Sequence, residues 1–339
     1  MTSQQYNPTI KSVVEESRKH RGNPEENVKN LIYYKMGEEF DKAMWGVDII
    51  RGELIVIQAD KKQRKSTLLA NWVLPFASQL KNKDLWLCVD TLESGMPPET
   101  YGDVLTCIAG TRLMVAETFG THNRTEWPNA TEIIDKLGQE LRLSQKFLRF
   151  GKRTETQQKY IELGEKLVSP LPITIFGPSL RQGEARDLNK SMKRWDLLYK
   201  GEYPDALGHE HRIFCTDHVQ QYSGFAGSDY NSLEVVTSTL SDFMVTHPGS
   251  VVIALSQVSL GSKRAYDSGA SGEMVAKGGN KLAAEAVTVF QTKYEKDTHP
   301  NYIIIETPNS RNESPPTVKQ EIDRFSGSFL GVCKPYFTR

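Results

Sequence analysis

The chain has 339 residues, and its 42 lysine and arginine residues balance its 42 aspartate and glutamate residues. This length suffices for the core of one large domain or of two smaller ones. The balanced charge excludes a chain that is basic throughout, so a nucleic-acid site would have to be a local patch. The four cysteines lie far apart without CxxC or Cys/His spacing, which argues against a zinc site or a disulfide framework.

The N-terminal arm, residues 1–45, is polar and charged. We expect one helix over Ile10–Lys19 and another around Glu26–Glu39, with too little apolar material for an independent core. Two interpretations remain open, an arm that packs on a neighbouring subunit and a disordered leader. No stretch has the length of a signal-peptide core or a membrane span, so we expect a cytoplasmic protein without membrane contact.

From Ile49 onward, short apolar runs alternate with helical stretches. Most of these runs are continuously apolar, which is typical of strands covered on both faces. The alternation predicts an α/β domain with a mostly parallel central sheet flanked by helices. The predicted strands are Leu54–Ile57, Leu85–Val89, Ile173–Phe176, Arg212–Thr216, Val251–Leu255, Val287–Gln291 and Tyr302–Glu306.

The interval of about residues 100–171 is long, charged and helical in pattern. It could form a separate helical subdomain or a helical elaboration of the same core. We favour the elaboration because a predicted strand resumes immediately after it.

A short basic segment follows the first predicted strand and precedes an apolar helix. Phosphate-binding loops of the pattern G-x-x-x-x-G-K-[ST] occupy such positions, where backbone N–H groups and the lysine bind phosphates and the hydroxyl holds Mg²⁺. Here the window reads ADKKQRKS, with Lys65 and Ser66 in place and with Ala59 and Arg64 at the two glycine positions. The candidate nucleotide-binding residues are Ala59, Lys61, Lys62, Gln63, Arg64, Lys65, Ser66 and Thr67.

The missing glycines leave two interpretations of this loop open. A left-handed conformation costs a residue other than glycine about 1–2 kcal/mol, which disfavours the loop without forbidding it. In the first interpretation the loop binds nucleotide and its four cations bind phosphate through their side chains. In the second it is a solvated basic turn at the edge of a sheet.

Polar residues end three further predicted strands. Asp217 ends the strand of HRIFCTD, where a carboxylate can hold Mg²⁺ through water. Gln257 ends the strand of VVIALSQ, where an amide can contact a γ-phosphate or orient the attacking water. Asp90 and Glu93 follow another strand, and either carboxylate can act as a general base, a choice that their spacing does not settle. Each residue also has a structural alternative, because polar side chains commonly cap turns and strand ends.

Two segments nearer the C-terminus carry further candidates. Arg311 lies in a polar turn after a strand, from which an arginine can reach phosphates bound by a neighbouring subunit, although most exposed loop arginines have no such role. Residues 260–281 are rich in glycine and serine and predict a long loop. Loops of this length in compact domains are usually functional or disordered.

The order of these segments resembles the RecA-like core of the DnaB-type replicative DNA helicases. The similar segments are GELIVI, KST, DTLES, TDHVQQY, ALSQVS, the glycine-rich loop and NSRNES, in chain order. The resemblance covers about residues 46–330 and implies a RecA-like P-loop NTPase domain, which we expect over residues 46–335. The N-terminal domain through which these helicases contact primase has no counterpart before the core, where only the arm is found.

The resemblance also implies roles for individual residues. Lys65 and Ser66 would be the phosphate-loop lysine and the Mg²⁺-binding hydroxyl, with Asp217 as the Walker B aspartate. Gln257 would be the strand-end glutamine of the family. The catalytic glutamate falls near Glu93, and Asp90 from the same segment is the other candidate.

Two further family sites fall on this sequence. The trans-acting lysine–x–arginine pair of the family falls on Asn309 and Arg311, so the arginine is kept and the lysine is not. The DNA-binding loop would be the stretch 261–281, which would contact the backbone of single-stranded DNA without reading bases. Its candidate DNA-binding residues are Lys263, Arg264, Lys277 and Lys281.

Three functions therefore compete. The first is an ATP- and Mg²⁺-dependent helicase or translocase that acts on single-stranded DNA during replication as a homo-oligomeric ring, expected to be a hexamer, with a primase or other replication proteins as partners. The second is a RecA-like DNA-binding or assembly protein that has lost hydrolysis, as Ala59, Arg64 and Asn309 suggest. The third is a RecA-like recombinase or regulatory ATPase. Retention of Lys65 and Asp217 favours a site that still binds nucleotide.

Overall fold

A computed structural model of the protein describes residues 33–34, 49–50, 52–81, 85–92, 98–177, 186–202, 210–223, 229–259, 281–294, 298, 300–310, 316–331 and 333–335. The strands are β1 (Tyr33–Tyr34), β2 (Ile49–Ile50), β3 (Leu54–Ala59), β4 (Leu85–Thr91), β5 (Ile173–Phe176), β6 (Glu210–Asp217), β7 (Val251–Gln257), β8 (Thr288–Lys293), β9 (Tyr302–Ser310), β10 (Val318–Glu321) and β11 (Lys334–Pro335). The α-helices are α1 (Lys65–Lys81), α2 (Pro98–Phe119), α3 (Ala130–Leu137), α4 (Gln145–Phe150), α5 (Glu155–Val168), α6 (Leu188–Tyr199), α7 (Asp229–Thr246) and α8 (Lys281–Glu285).

Strands β3 to β11 form one sheet in the order β11-β10-β9-β8-β3-β7-β6-β4-β5. The six strands from β8 to β5 in this order run parallel, and β9, β10 and β11 add antiparallel pairs at one side. All seven strands that the sequence predicts are present, and the prediction of a mostly parallel α/β sheet is confirmed. The carboxyl ends of β3, β7 and β6 therefore lie side by side at one edge of the sheet.

Helices cover both faces of this sheet. Ile55 and Ile57 of β3 pack in one core with Leu68 and other residues of α1, together with part of α2. Leu54 and Val56 pack in a second core on the opposite face, with residues of α6 and α7. Burial on both faces explains why the strands read as continuous apolar runs instead of alternating ones.

Helices α2 to α5 lie in the interval that the sequence predicts to be helical. A Cβ at Gly110 of α2 would stand 2.5 Å from the backbone oxygen of Tyr160, and one at Gly164 of α5 would stand 2.5 Å from that of Thr106. The two glycines therefore permit the close contact between α2 and α5. Tyr101 and other residues of α2 also belong to the core shared with α1 and the sheet.

Two expectations about the chain ends change. The helix expected around Glu26–Glu39 is wrong at Tyr33–Tyr34, which pairs as a strand with Ile49–Ile50, and the expected helix at Ile10–Lys19 lies outside the described residues. Strands β10 and β11 were not predicted, because the short sequence VKQE of β10 has no apolar run. Among the residues placed by the structure, no helix is long and apolar enough to span a membrane.

Candidate functional site

The segment between β3 and α1 forms a tight turn that leads into a helix N-terminus. The N–H of Gln63 donates to the carbonyl of Asp60 at 3.3 Å, and the Asp60 carboxylate accepts from the N–H of Lys61 at 2.7 Å. The N–H of Leu68 donates to the carbonyl of Arg64 at 2.9 Å, which places Arg64 at the N-cap of α1. The first N–H groups of α1 consequently have no partner within the helix and are available to an anion.

The strained positions of this loop differ from those that the glycine pattern indicates. Lys62 and Arg64 have φ values of 65° and 66°, in the left-handed region that favours glycine. Each costs about 1–2 kcal/mol for a side chain other than glycine. Ala59 ends β3 opposite Gln257 in a regular parallel pair, so the alanine at the first glycine position carries no such cost.

Side chains of the loop bind the protein itself. The guanidinium of Arg64 donates to the hydroxyl of Tyr294 at 3.3 Å and to the carbonyl of Arg324 at 3.0 Å, and it lies 4.6 Å from the centre of the Tyr294 ring. Gln63 accepts from the N–H of Tyr294 through its side chain and from the hydroxyl of Thr292, at 2.6 Å, through its carbonyl. This corrects the expectation that the side chains of Gln63 and Arg64 face phosphate, since both are occupied by protein contacts.

Lys65 is the first residue of α1, and its side chain is buried, with 6% of the residue exposed. Within the described part of the chain it makes no hydrogen bond and no ion pair. An ammonium withdrawn from water without a partner is unfavourable, so an anion at this position would offset the cost. Lys61 and Lys62 are exposed beside it, and Ser66 and Thr67 are half-buried. Cations and N–H groups in this arrangement fit the phosphates of a nucleotide.

Asp217 and Gln257 end the two strands that follow β3 across the sheet. Asp217 ends β6 and is 2% exposed, and Gln257 ends β7, which lies between β3 and β6. The amide of Gln220 joins the two strand ends, because it donates to the hydroxyl of Ser256 at 2.7 Å and to the carbonyl of Gln257 at 3.1 Å. It also accepts from the N–H of Gln257 at 3.0 Å. The backbone at the end of β7 is thereby fixed.

The alternation of side chains along the strands places these residues on one face. Cys215 of β6 and Leu255 of β7 belong to the core that contains α1, so Asp217 and Gln257, two residues further on, point to the same face. Burial raises the pKa of the Tyr101 phenol, and the charge of nearby Asp217 adds to this rise, which agrees with Asp217 facing α2. Lys65, Asp217 and Gln257 therefore share one face of the sheet at its carboxyl edge. Ligands of open parallel sheets bind at this edge.

Asp90 lies on the opposite face, and the geometry argues against a catalytic role for it. Its carboxylate is fully buried and accepts from Arg194 at 2.5 Å, from Trp195 at 3.0 Å and from the hydroxyl of Ser191. Burial raises the pKa of the Asp90 carboxyl, and the Arg194 guanidinium opposes that rise. Asp90 is thus the centre of a polar network in the second core, away from α1. The other candidate, Glu93, lies outside the described residues.

Most of the predicted DNA-facing and trans-acting residues also lie outside the described residues, namely Lys263, Arg264, Lys277 and Arg311. Lys281 is described at the start of α8, where its ammonium donates to the hydroxyl of Ser238 in α7 at 2.9 Å. Asn309 lies in β9 opposite Val289.

Sequence reasoning missed three residues that support the site. Tyr294 and Asn71 carried no signal, because their partners lie more than 200 positions away in the chain. Gln220 stands three residues after Asp217, a spacing that is visible in the sequence, but its hydrogen bonds to β7 are not.

These elements define the class of the protein. A central strand, a loop that opens a helix with a buried lysine, and an aspartate two strands away form the RecA-like α/β fold of P-loop nucleotide-binding domains. The fold expected from the sequence is therefore confirmed.

Two solved structures share this fold. One is a helicase ATPase domain, with 17% sequence identity, a TM-score of 0.64, and coverage of 95% of this chain and 97% of that chain. The other is a DnaB-like replicative helicase, described with its interactions with primase, with 17% identity, a TM-score of 0.66, and coverage of 96% of this chain and 68% of that chain. No protein-family model and no curated protein matches the sequence. The resemblance to DnaB-type helicases thus holds for the fold.

Proposed function

We propose that the protein is an ATP-dependent helicase or translocase that acts on single-stranded DNA during DNA replication. The observation that carries this proposal is the buried Lys65 at the N-terminus of α1, without a partner among the described residues and on the same sheet face as Asp217 and Gln257. The similarity to a DnaB-like replicative helicase and to the other helicase ATPase domain supports it. The ATPase domain would comprise residues 46–335.

The residues at the carboxyl edge of the sheet have distinct roles in this proposal. The N–H groups of the loop and the Lys65 ammonium hold the phosphates of ATP. The Ser66 hydroxyl and the Asp217 carboxylate are oxygen donors of the kind that Mg²⁺ prefers. Bound Mg²⁺-ATP supplies the free energy of hydrolysis. Gln257, held by Gln220, positions an amide beside the phosphates, and Glu93 is the remaining candidate for the general base.

The proposed assembly is a homo-oligomeric ring, with six copies as the expected number. Arg311 of one subunit would contact the nucleotide of its neighbour. Single-stranded DNA would bind in the ring through the loop 261–281, where the contacts are with phosphates and the affinity falls with salt. Lys281 would have to exchange its contact with Ser238 for a DNA phosphate. A primase is a candidate partner, because the DnaB-like helicase structure describes interactions with one.

A second candidate function is a RecA-like DNA-binding or assembly protein that binds nucleotide without hydrolysing it. It is favoured by the strained, glycine-free loop and by Asn309 at the position of the family's trans-acting lysine. A recombinase of the same fold would instead form filaments on DNA.

ATP hydrolysis stimulated by single-stranded DNA distinguishes these functions. We expect the wild-type protein to hydrolyse Mg²⁺-ATP faster when DNA is added and Lys65→Ala to lose at least about tenfold of this rate, because a charge-assisted contact contributes about 1.5–3 kcal/mol. Lys166→Ala, the same substitution on an exposed site of α5, serves as the control and should keep the wild-type rate. Equal, negligible rates in the wild type and in Lys65→Ala would contradict the helicase proposal. Tight DNA binding that ignores added nucleotide would favour the second candidate.

A further inference from the structure

The two left-handed residues of the phosphate loop are held differently. Lys62 is exposed to solvent, whereas the side chain of Arg64 is anchored by the hydroxyl and ring of Tyr294 and by the carbonyl of Arg324. Arg64 occupies the second glycine position of the motif, directly before Lys65. The residue with the least conformational preference for this backbone is thus replaced by one with a long side chain that has three contacts elsewhere.

The anchor of Arg64 is itself rigidly placed. Tyr294 directly follows β8, is buried, and donates its hydroxyl to the carbonyl of Pro300 at 3.1 Å. Arg324 lies in a turn that Asp323 closes, since the Asp323 carboxylate accepts from the N–H of Ser326 at 2.8 Å.

The turn at Arg324 is joined to α1 as well as to Arg64. The side-chain amide of Asn71 donates to the carbonyl of Gly327 at 2.9 Å, and its oxygen accepts from the N–H of Phe329 at 3.0 Å. The same amide group donates to the carbonyl of Thr67 in the first turn of α1 at 2.8 Å. Both ends of the anchor are therefore fixed to the element that carries Lys65.

We propose that Arg64 is a positioning residue for nucleotide binding, and that its contacts with Tyr294 and Arg324 replace the glycine by holding the loop in its left-handed, phosphate-binding conformation. The inference rests on the proposed function, since it concerns how the same loop binds a nucleoside di- or triphosphate. It assigns the Arg64 guanidinium to the protein scaffold and leaves the phosphates to Lys65 and the N–H groups.

The proposal predicts an order of affinities among substitutions at position 64. Alanine removes the anchor and keeps the unfavourable left-handed backbone, so a smaller fraction of loops is competent and the apparent Kd rises by about tenfold. Glycine removes the same anchor but adopts this backbone freely, so its Kd should stay within about threefold of the wild type. If the guanidinium bound phosphate directly, the two substitutions would weaken binding equally.

Calorimetric titration of the full chain with Mg²⁺-ADP tests this order. We expect Arg64→Ala to bind about tenfold more weakly than the wild type and Arg64→Gly to regain most of the loss. Tyr294→Leu should resemble Arg64→Ala, and the double variant should be no weaker than either single one, because both act through one contact. Tyr294→Phe keeps the ring under the guanidinium and should stay near the wild type.

Lys319→Ala is the matched control. It removes another cation–aromatic contact of the same sheet, in which the ammonium lies 3.9 Å from the centre of the Tyr302 ring. Its Kd should equal that of the wild type. Thermal unfolding of every variant verifies that the protein titrated is folded.

The outcomes separate this inference from the function on which it rests. Loss of binding in Lys65→Ala, with Arg64→Gly stronger than Arg64→Ala, supports both. Loss in Lys65→Ala with equal affinities for Arg64→Gly and Arg64→Ala, whether weakened or unchanged, overturns the positioning role and leaves nucleotide binding intact. A wild-type protein that does not bind Mg²⁺-ADP, or a Lys65→Ala variant that binds as well as it does, overturns the proposed function and the inference together.

Discussion

Two aspartates at the ends of neighbouring strands differ completely in their surroundings. Asp90 near the end of β4 points into the second core, where Arg194, Trp195 and Ser191 bind its carboxylate. Asp217 at the end of β6 points to the face that carries α1 and Lys65. The two strands are paired in parallel, with Thr91 opposite Asp217, so the two carboxylates are one position apart in register.

This difference shows that one residue of register decides the role of a strand-end carboxylate. Successive side chains of a strand face opposite sides of the sheet, so Asp90 belongs with Cys88 and Asp217 with Cys215. Both aspartates are buried and both follow an apolar run. Burial and position at a strand end are therefore insufficient to identify a metal-binding carboxylate, and the face must be known.

The ion pair of Asp90 gives the largest expected effect. Arg194→Ala leaves a buried carboxylate without its cation, which should lower the free energy of unfolding by about 3–5 kcal/mol in a urea titration. Arg149→Ala is the control, because it breaks a partly exposed ion pair with Asp103 at 2.9 Å and should cost at most about 1 kcal/mol. A loss below about 1 kcal/mol in Arg194→Ala would show that Asp90 is not a structural residue of the core.

Gln220 tests whether the strand ends near Asp217 depend on one side chain. Gln220→Ala removes three hydrogen bonds and leaves the N–H of Gln257 unpaired, which should lower the free energy of unfolding by about 1–3 kcal/mol. Gln221→Ala, one residue further on, loses a single 3.4 Å contact with His218 and serves as the control. Equal stabilities of the two variants would mean that Gln220 does not fix the end of β7.

Asp217 tests the other side of the comparison through metal removal. We expect the wild-type protein to bind ADP about tenfold more weakly in EDTA than in Mg²⁺, which corresponds to about 1.4 kcal/mol. Asp217→Asn should bind ADP with the same affinity under both conditions, because the charge that favours the cation is gone. Asp90→Asn, if it folds, should keep the Mg²⁺ dependence. A Mg²⁺ dependence in Asp217→Asn equal to that of the wild type would contradict the metal role.

A third, partly exposed aspartate gives the smallest effect. Partial burial raises the pKa of Asp196, but hydrogen bonds from Lys200 and His247 outweigh it and lower that pKa. A carboxyl with a lowered pKa in the folded state contributes stability above its unfolded pKa and loses it as the pH falls through the folded value. Asp196→Asn should therefore cost up to about 1 kcal/mol near pH 7, and less as the pH falls below about 4. Urea titrations at several pH values check this, and a difference that grows in acid would contradict it.

The sheet could be read from the sequence because its strands are continuous apolar runs. All seven predicted strands are present, and so is the loop position before α1. Lys65, Asp217 and Gln257 were also identified, since each follows a strand whose carboxyl end meets the same edge. The side chains of β10, by contrast, alternate between buried and half-buried, so this strand gave no apolar run.

The support of the phosphate loop could not be predicted, because it depends on contacts between distant segments. Arg64 was identified as a missing glycine, but its partners Tyr294 and Arg324 are 230 and 260 positions away. The strain also falls on Lys62 and not on Ala59, which the motif alone does not indicate. The face of Asp90 required the register of β4 against its helices, which a single sequence does not specify.

A structure of the protein with Mg²⁺ and a non-hydrolysable ATP analogue would decide whether the loop after β3 is a nucleotide site. We predict that the β- and γ-phosphates lie against the N–H groups at the start of α1 and the Lys65 ammonium, with Arg64 still on Tyr294 and with Asp217 facing the metal. Nucleotide bound elsewhere would contradict the proposed function. An Arg64 guanidinium that has left Tyr294 for the phosphates would contradict its positioning role.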